Sequence, residues 1–264
     1  ADDAIPRAPQ KTDDDSEKHA ANIEPEPLRL GSSVLATAIR NTHYDLAAWL
    51  VSEGADINAD GPRGTALHGL IRARNCELTA MPCPEQKAQM GSLALAEMLL
   101  AHDADVNARM SARPPTKGTY DGNSMSLVGA TPLFLAVKAA DLPMTHLLLR
   151  NGADPTIGNE DDTIPLLVAA GMGFIAGQVA ASEAGALETV KLLVDLGEEV
   201  TFKNNNDETA LHGAAYRGAD SIVRFLVEHG ADLDAEDDKG LLPVTVADGF
   251  RRSGGFQAHP ETAA

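Results

Sequence analysis

Two histidines sit in the same five-residue setting, TALHG, at His68 and His212. An imidazole titrates close to neutral pH, so a histidine beside a hydroxyl could serve as a general base or join a metal site. Other residues with chemistry to offer are few. Cys76 and Cys83 lie in "NCELTAMPCPEQ" without a CxxC spacing, and two thiols alone make a poor metal site. "KTDDDSEK" and "EDDKG" share only their composition with calcium loops, and a solvated acidic run is the plainer reading. The glycines of "GMGFIAG" follow no strand pattern and make no phosphate loop. No GxSxG elbow presents a nucleophile to either histidine. The residues therefore predict no enzyme, no metal and no cofactor.

The duplicated setting raises the question of which element holds both histidines. The stretch "TALHGAAYRGADSIVRFLVEHGAD" from Thr209 has counterparts in "TPLFLAVKAADLPMTHLLLRNGAD" from Thr131 and "SVLATAIRNTHYDLAAWLVSEGAD" from Ser33. Looser copies open at Thr65, Ile164 and Leu242. The openings at 33, 65, 131, 164, 209 and 242 are separated by 32, 66, 33, 45 and 33 residues, so 33 is the unit and the longer steps hold inserts.

Within a unit, Thr209 is placed to cap a helix, and Pro132, Pro165 and Pro243 stand at the first helical position, where a missing amide costs no hydrogen bond. A second helix carries Ile222, Val223, Phe225 and Leu226 at helical spacing, a stripe that must face a neighbour. Gly54, Gly152, Gly197 and Gly230 end the second helices, with Asp103 in that position in the second unit. "ADLDAEDDKG" then turns the chain out and back. Five helix pairs are expected, with a degenerate sixth unit from Leu242 and no sheet beyond short hairpin contacts.

These residues resemble the ankyrin repeat, with its TPLHxA openings, second helices ending in Leu-Leu or Leu-Val, and a GAD terminator, over roughly Leu30 to Gly249. The resemblance implies an all-α solenoid of stacked helix-turn-helix units with projecting β-hairpin fingers. It also implies that His68 and His212 are structural, bonding within and between units, and that Phe134 and Leu167 make apolar contacts in the same position. The inserts, with "GATPLFLAVKAADLPMTHLLLRNGAD", are similar to exported bacterial ankyrin proteins of unassigned role.

Composition narrows the function classes. With 39 acidic and 21 basic side chains, the net charge of −18 opposes binding to nucleic acid or anionic lipid. Apolar runs such as "LALAEMLLA" are far shorter than the roughly 20 residues of a membrane span. Residues 1–27, rich in Asp, Glu and Pro, read as a flexible arm ahead of a repeat domain from 28 to 264. The start without Met or an apolar signal core, and a disulfide between Cys76 and Cys83, suit a periplasmic or extracellular protein whose signal peptide has been removed. "RRSGGFQAHPETAA" stops where a capping helix is expected, so either the chain is truncated or a partner covers Val244 and Val246.

The resemblance also implies that partners sit in a concave groove. Five pairs of residues point there: Arg40 and Asn41, Arg72 and Ala73, Lys138 and Ala139, Gly171 and Met172, Tyr216 and Arg217. Four of the five carry a cation, unexpected on so acidic a chain. These cations either meet carboxylates on a partner protein or neutralise Asp161, Asp207 and Glu208 within the molecule. Inserts at 76–92, 110–128 and 173–184 add Tyr120 and Phe174 to the partner-facing set. The favoured function is a non-catalytic protein–protein interaction scaffold, a subunit of an exported assembly. The alternative is a small-molecule or substrate-delivery module with inserts folded over the groove. A deep enclosed pocket beside Phe174 would favour the second, and an open groove the first.

Overall fold

The computed structural model describes residues 33–61, 63–75, 88–112, 125–174 and 182–248, all of them within one compact unit, Ser32–Ala264. The N-terminal arm, Cys76, Cys83 and Tyr120 lie outside the described residues.

All six repeat openings are helix N-caps. Ser33, Thr65, Thr131, Ile164, Thr209 and Leu242 precede α1 (Val34–Arg40), α3 (Ala66–Arg74), α5 (Pro132–Lys138), α7 (Pro165–Ala170), α9 (Ala210–Arg217) and α11 (Pro243–Ala247). Where the cap is Ser33 or Thr131, its hydroxyl accepts from the amide three residues on, at 3.0 and 3.2 Å. Ile164 and Leu242 have no such group, and there Pro165 and Pro243 stand at the first helical position instead.

Each of the first five openings is followed by a second helix: α2 (Tyr44–Ser52), α4 (Ser92–Ala101), α6 (Leu142–Arg150), α8 (Glu183–Asp195) and α10 (Asp220–Glu228). The expected five pairs and the single sixth helix are all present. Along the row α1, α3, α5, α7, α9, α11, each helix packs on the next. This row is the interior of the stack. In α7 every residue is buried, and in α5 every residue but Lys138. Phe134 and Leu167 are fully buried in the register that the histidines occupy elsewhere. Among the described residues the only β-type pairing is a bridge between Gly61 and Gly64.

The second helices end as their terminators require. Gly197 has φ of 99° and its amide donates to the Val194 carbonyl at 2.9 Å. Nothing lies within 4 Å of where its Cβ would be, so the left-handed backbone and not crowding selects glycine. Asp103 takes the same conformation in the second unit, with φ of 64°.

Asparagines secure the fingers. Asn58 donates to the Asp103 carbonyl at 2.9 Å and accepts from the Asp105 amide at 2.8 Å. Asn107 repeats the pattern one unit on, with the Gly152 carbonyl and the Asp154 amide. Five residues before their openings, Asn159 and Asn204 each fold a finger tip around a side-chain oxygen that accepts two backbone amides. Asp237 does the same in the last unit. Each backbone group so bonded is one that an irregular loop would otherwise leave unsatisfied.

Candidate functional site

The two histidines occupy equivalent sites. His68 is fully buried, and its Nδ1 accepts from the Thr65 amide at 3.2 Å and lies 3.0 Å from Thr65 Oγ1. With Nδ1 accepting, the ring proton is on Nε2, which donates to the Ala130 carbonyl at 3.1 Å. Ala130 directly precedes Thr131, the cap of the next unit. His212 copies this geometry with Thr209 and with the Leu241 carbonyl, directly before Leu242. Both rings thus bond within and between units, as the resemblance implies. Burial lowers His68 to about 4 and moves His212 in the same direction, so both are neutral at physiological pH. The hydroxyl beside each ring, that of Thr65 or Thr209, belongs to the cap of the same helix and is buried with it. Among the described residues, no group of three or more His, Cys, Asp or Glu could hold a metal ion.

A second set of inter-unit ties was not read from the sequence. Arg74, on the last turn of α3, pairs with Asp141, the cap of α6, through Nε at 2.6 Å and Nη2 at 3.3 Å. Its Nη1 donates to Ser92 at the start of α4. Asp141 also accepts from Asn75 and from the Met144 amide. Asp45 and Glu183 act similarly at the starts of other second helices: Asp45 accepts the amides of Gln89 and Met90, and Glu183 that of Ser221. A basic last turn is the one local signal at Arg74. Its partner lies 67 residues away, beyond two inserts.

The expected groove residues separate into three groups. Lys138, Met172, Phe174 and Arg217 converge on one cleft, together with Val168 and Thr189. There the Arg217 guanidinium lies 4.6 Å from the centre of the Phe174 ring, within cation–π range. Burial lowers Arg217 from its ordinary range, and the charge of Glu183 opposes the shift. Arg40 and Asn41 are at the end of α1, half-buried and exposed respectively. Two placements differ from the sequence reading. Arg72 is 7% exposed and presents little surface to a partner, because α3 is an interior helix whose last turns are enclosed. Tyr216 packs against the cluster of Ala215, Val246 and Ala247 and so serves the contact with α11. Val246 is buried there, while Val244 is 43% exposed.

The cleft beside Phe174 encloses about 20 Å³, room for about one water and far below the roughly 300–1,000 Å³ of ligand pockets. Among the described residues no helix is long and apolar enough to cross a membrane.

A helical solenoid with a period of 33 residues, capped openings and bridging histidines defines the class. Comparison with known proteins identifies the repeats: the model for the ankyrin repeat matches residues 128–160, and that for ankyrin repeats in three copies matches 178–249. The chain thus carries ankyrin repeats over these residues. It is similar to the crystal structure of an ankyrin repeat domain from Acinetobacter baumannii, with 26% identity, a TM-score of 0.56, and coverage of 81% of this chain and 89% of that one. Among curated proteins it is 32% identical over 120 residues to a Caenorhabditis elegans homolog of transient receptor potential cation channel subfamily A member 1, covering 46% of this chain and 9% of that protein. It is 42% identical over 64 residues to mouse protein phosphatase 1 regulatory subunit 27, covering 24% of this chain and 42% of that one. The chain therefore spans less than half of these curated relatives. Ankyrin repeats generally mediate protein–protein interactions, and the fold is generally a non-catalytic module.

The buried histidine makes stability depend on pH. Above about pH 6.5 both folded and unfolded chains hold His68 neutral. Below it the unfolded chain binds a proton that the folded site refuses until about pH 4, so stability falls as the pH falls through that window. Urea unfolding from pH 7 to 4 should show the wild type losing about 3 kcal/mol more than His68→Gln. Parallel pH profiles for the two proteins would contradict this role for His68.

Proposed function

We propose that this protein is a non-catalytic scaffold that binds a protein partner along the face formed by its first helices and by the start of the insert after α7. The observation that carries this reading is the convergence of Lys138, Met172, Phe174 and Arg217, drawn from three successive units, on one shallow cleft. A guanidinium stacked on an aromatic ring beside a lysine and a methionine combines flat apolar area with positive charge. Of these, arginine, aromatic residues and methionine are the side chains enriched at protein interfaces. The small-molecule alternative has less support, since the cleft has too little volume to enclose a ligand. We further propose that the protein works in an oxidising compartment, a reading supported by Cys76 and Cys83 standing in one polar insert.

Affinity capture from native extract tests the scaffold reading. The wild type is expected to retain a discrete protein that the Lys138→Glu/Arg217→Glu variant loses, with both baits showing the same circular dichroism. Equal retention by the two baits would overturn the assigned face. In the same preparation, made without reductant, Cys76 and Cys83 should resist alkylation until dithiothreitol is added. Free alkylation of both would remove the case for export.

A further inference from the structure

The first unit differs from every later one at three positions. Val34 opens α1 and is 68% exposed, while the residues in that register, Ala66, Pro132, Pro165, Ala210 and Pro243, are all buried. Leu46 stands eight residues before the terminator of α2 and is 44% exposed, while Leu95, Met144, Thr189 and Ile222 in the same register are fully or almost fully buried. Trp49, five residues before that terminator, is 56% exposed, whereas its counterparts Met98, Leu147, Leu192 and Phe225 are buried or half-buried. Each later unit has a predecessor packed against it, as α1 packs on α3 and α2 on α4. Among the described residues the first unit has none. The three positions therefore mark the side of a unit that its predecessor covers.

A stack in water needs polar outer faces on its terminal units, yet this one presents a valine, a leucine and the chain's single tryptophan. Leu46 and Trp49 lie three apart on α2 and so share a face. Tryptophan buries a large apolar area and is enriched among binding hot spots. Charge points to what covers the set. Over residues 33–74 four arginines balance four carboxylates, whereas residues 209–248 hold three Lys or Arg and eight carboxylates. On a chain of net charge −18, the first units thus bring no net charge to a meeting of two copies, while the last ones would repel. Two first units turned toward each other about a twofold axis cover both exposed sets and close the assembly. Head-to-tail stacking would leave one set bare at every stage.

We infer that Val34, Leu46 and Trp49 form the contact between two copies of this chain, paired face to face through their first units. In a twofold contact the same patch serves both copies. The patch is compact, so the pairing is reversible and depends on concentration. It lies two units before the cleft of Lys138, Met172, Phe174 and Arg217. A pair therefore carries two such clefts in one assembly, which strengthens binding to any partner that offers two matching segments. The pairing itself does not depend on the cleft's having a partner.

Sedimentation velocity of the full chain, from low micromolar concentration upward, tests the pairing. A reversible equilibrium between monomer and dimer is expected. Because Trp49 is the sole tryptophan, its emission reports on the face directly, and it should shift to shorter wavelength and resist acrylamide quenching as the dimer fills. Leu46→Glu, which keeps the reporter, and Trp49→Glu should each weaken pairing about tenfold or more. Both side chains are largely exposed in the single chain, so the circular dichroism should stay unchanged. Leu233→Glu, which removes an equally exposed apolar side chain from the finger after α10, should pair as the wild type does. A monomer at every concentration would overturn the assignment, whether Trp49 is then open to acrylamide or shielded by another part of the chain. So would assemblies that keep growing past the dimer, or an equal loss in Leu233→Glu. None of these outcomes touches the scaffold reading, which capture through Lys138 and Arg217 decides.

Discussion

One neutral imidazole, bonded on both sides, joins the local structure of this protein to its global structure. At His68 and His212, Nδ1 caps the helix that carries it and Nε2 grips the carbonyl before the next unit's cap. The first bond fixes where a helix begins, and the second fixes where the following unit lies against it. Because the ring has one donor and one acceptor only when neutral, burial is part of the design: a protonated ring would turn Nδ1 into a donor facing the Thr65 amide. Where histidine is replaced by Phe134 or Leu167, full burial of the side chain does the work of alignment.

Around this joint the remaining ties are also from each unit to a neighbour. Asn58 and Asn107 link fingers, Asp45 and Glu183 link the starts of second helices, and Arg74 with Asp141 fastens the second unit to the third. Together they hold the first helices in a fixed row, and that rigidity gives the row its functional meaning. A cleft built from α5, α7, α8 and α9 exists only because neighbouring units keep register. A rigid face loses little conformational freedom on binding, which favours association with a partner.

Much of this was legible in the sequence because it is local. The six openings are all N-caps, the prolines are at the first helical position, and the terminators Gly54, Asp103, Gly152, Gly197 and Gly230 all have positive φ. Each depends on a few adjacent residues and recurs with the period. Lys138, Met172 and Arg217 were also legible, since register alone places them on one face, while Phe174 was read as part of the insert that follows. The pair Arg74 and Asp141 was not, because their separation of 67 residues spans two inserts that break the period. Nor was the burial of Arg72, which shares its register with the half-buried Arg40. Position in a repeat tells which way a side chain points, but its neighbours decide how much covers it. Tyr216 illustrates the same limit, since α11 packs against it at the end of the described stack.

If coupling between units runs through nearest-neighbour joints, stability should be lost locally when one joint is cut. Hydrogen exchange followed by mass spectrometry, on the wild type and His212→Ala at neutral pH, measures this directly. Faster exchange is expected in α9, α10 and α11, with α1 to α4 exchanging as in the wild type. A uniform rise in exchange from α1 to α11 would show that the chain unfolds as one cooperative block and would contradict the account.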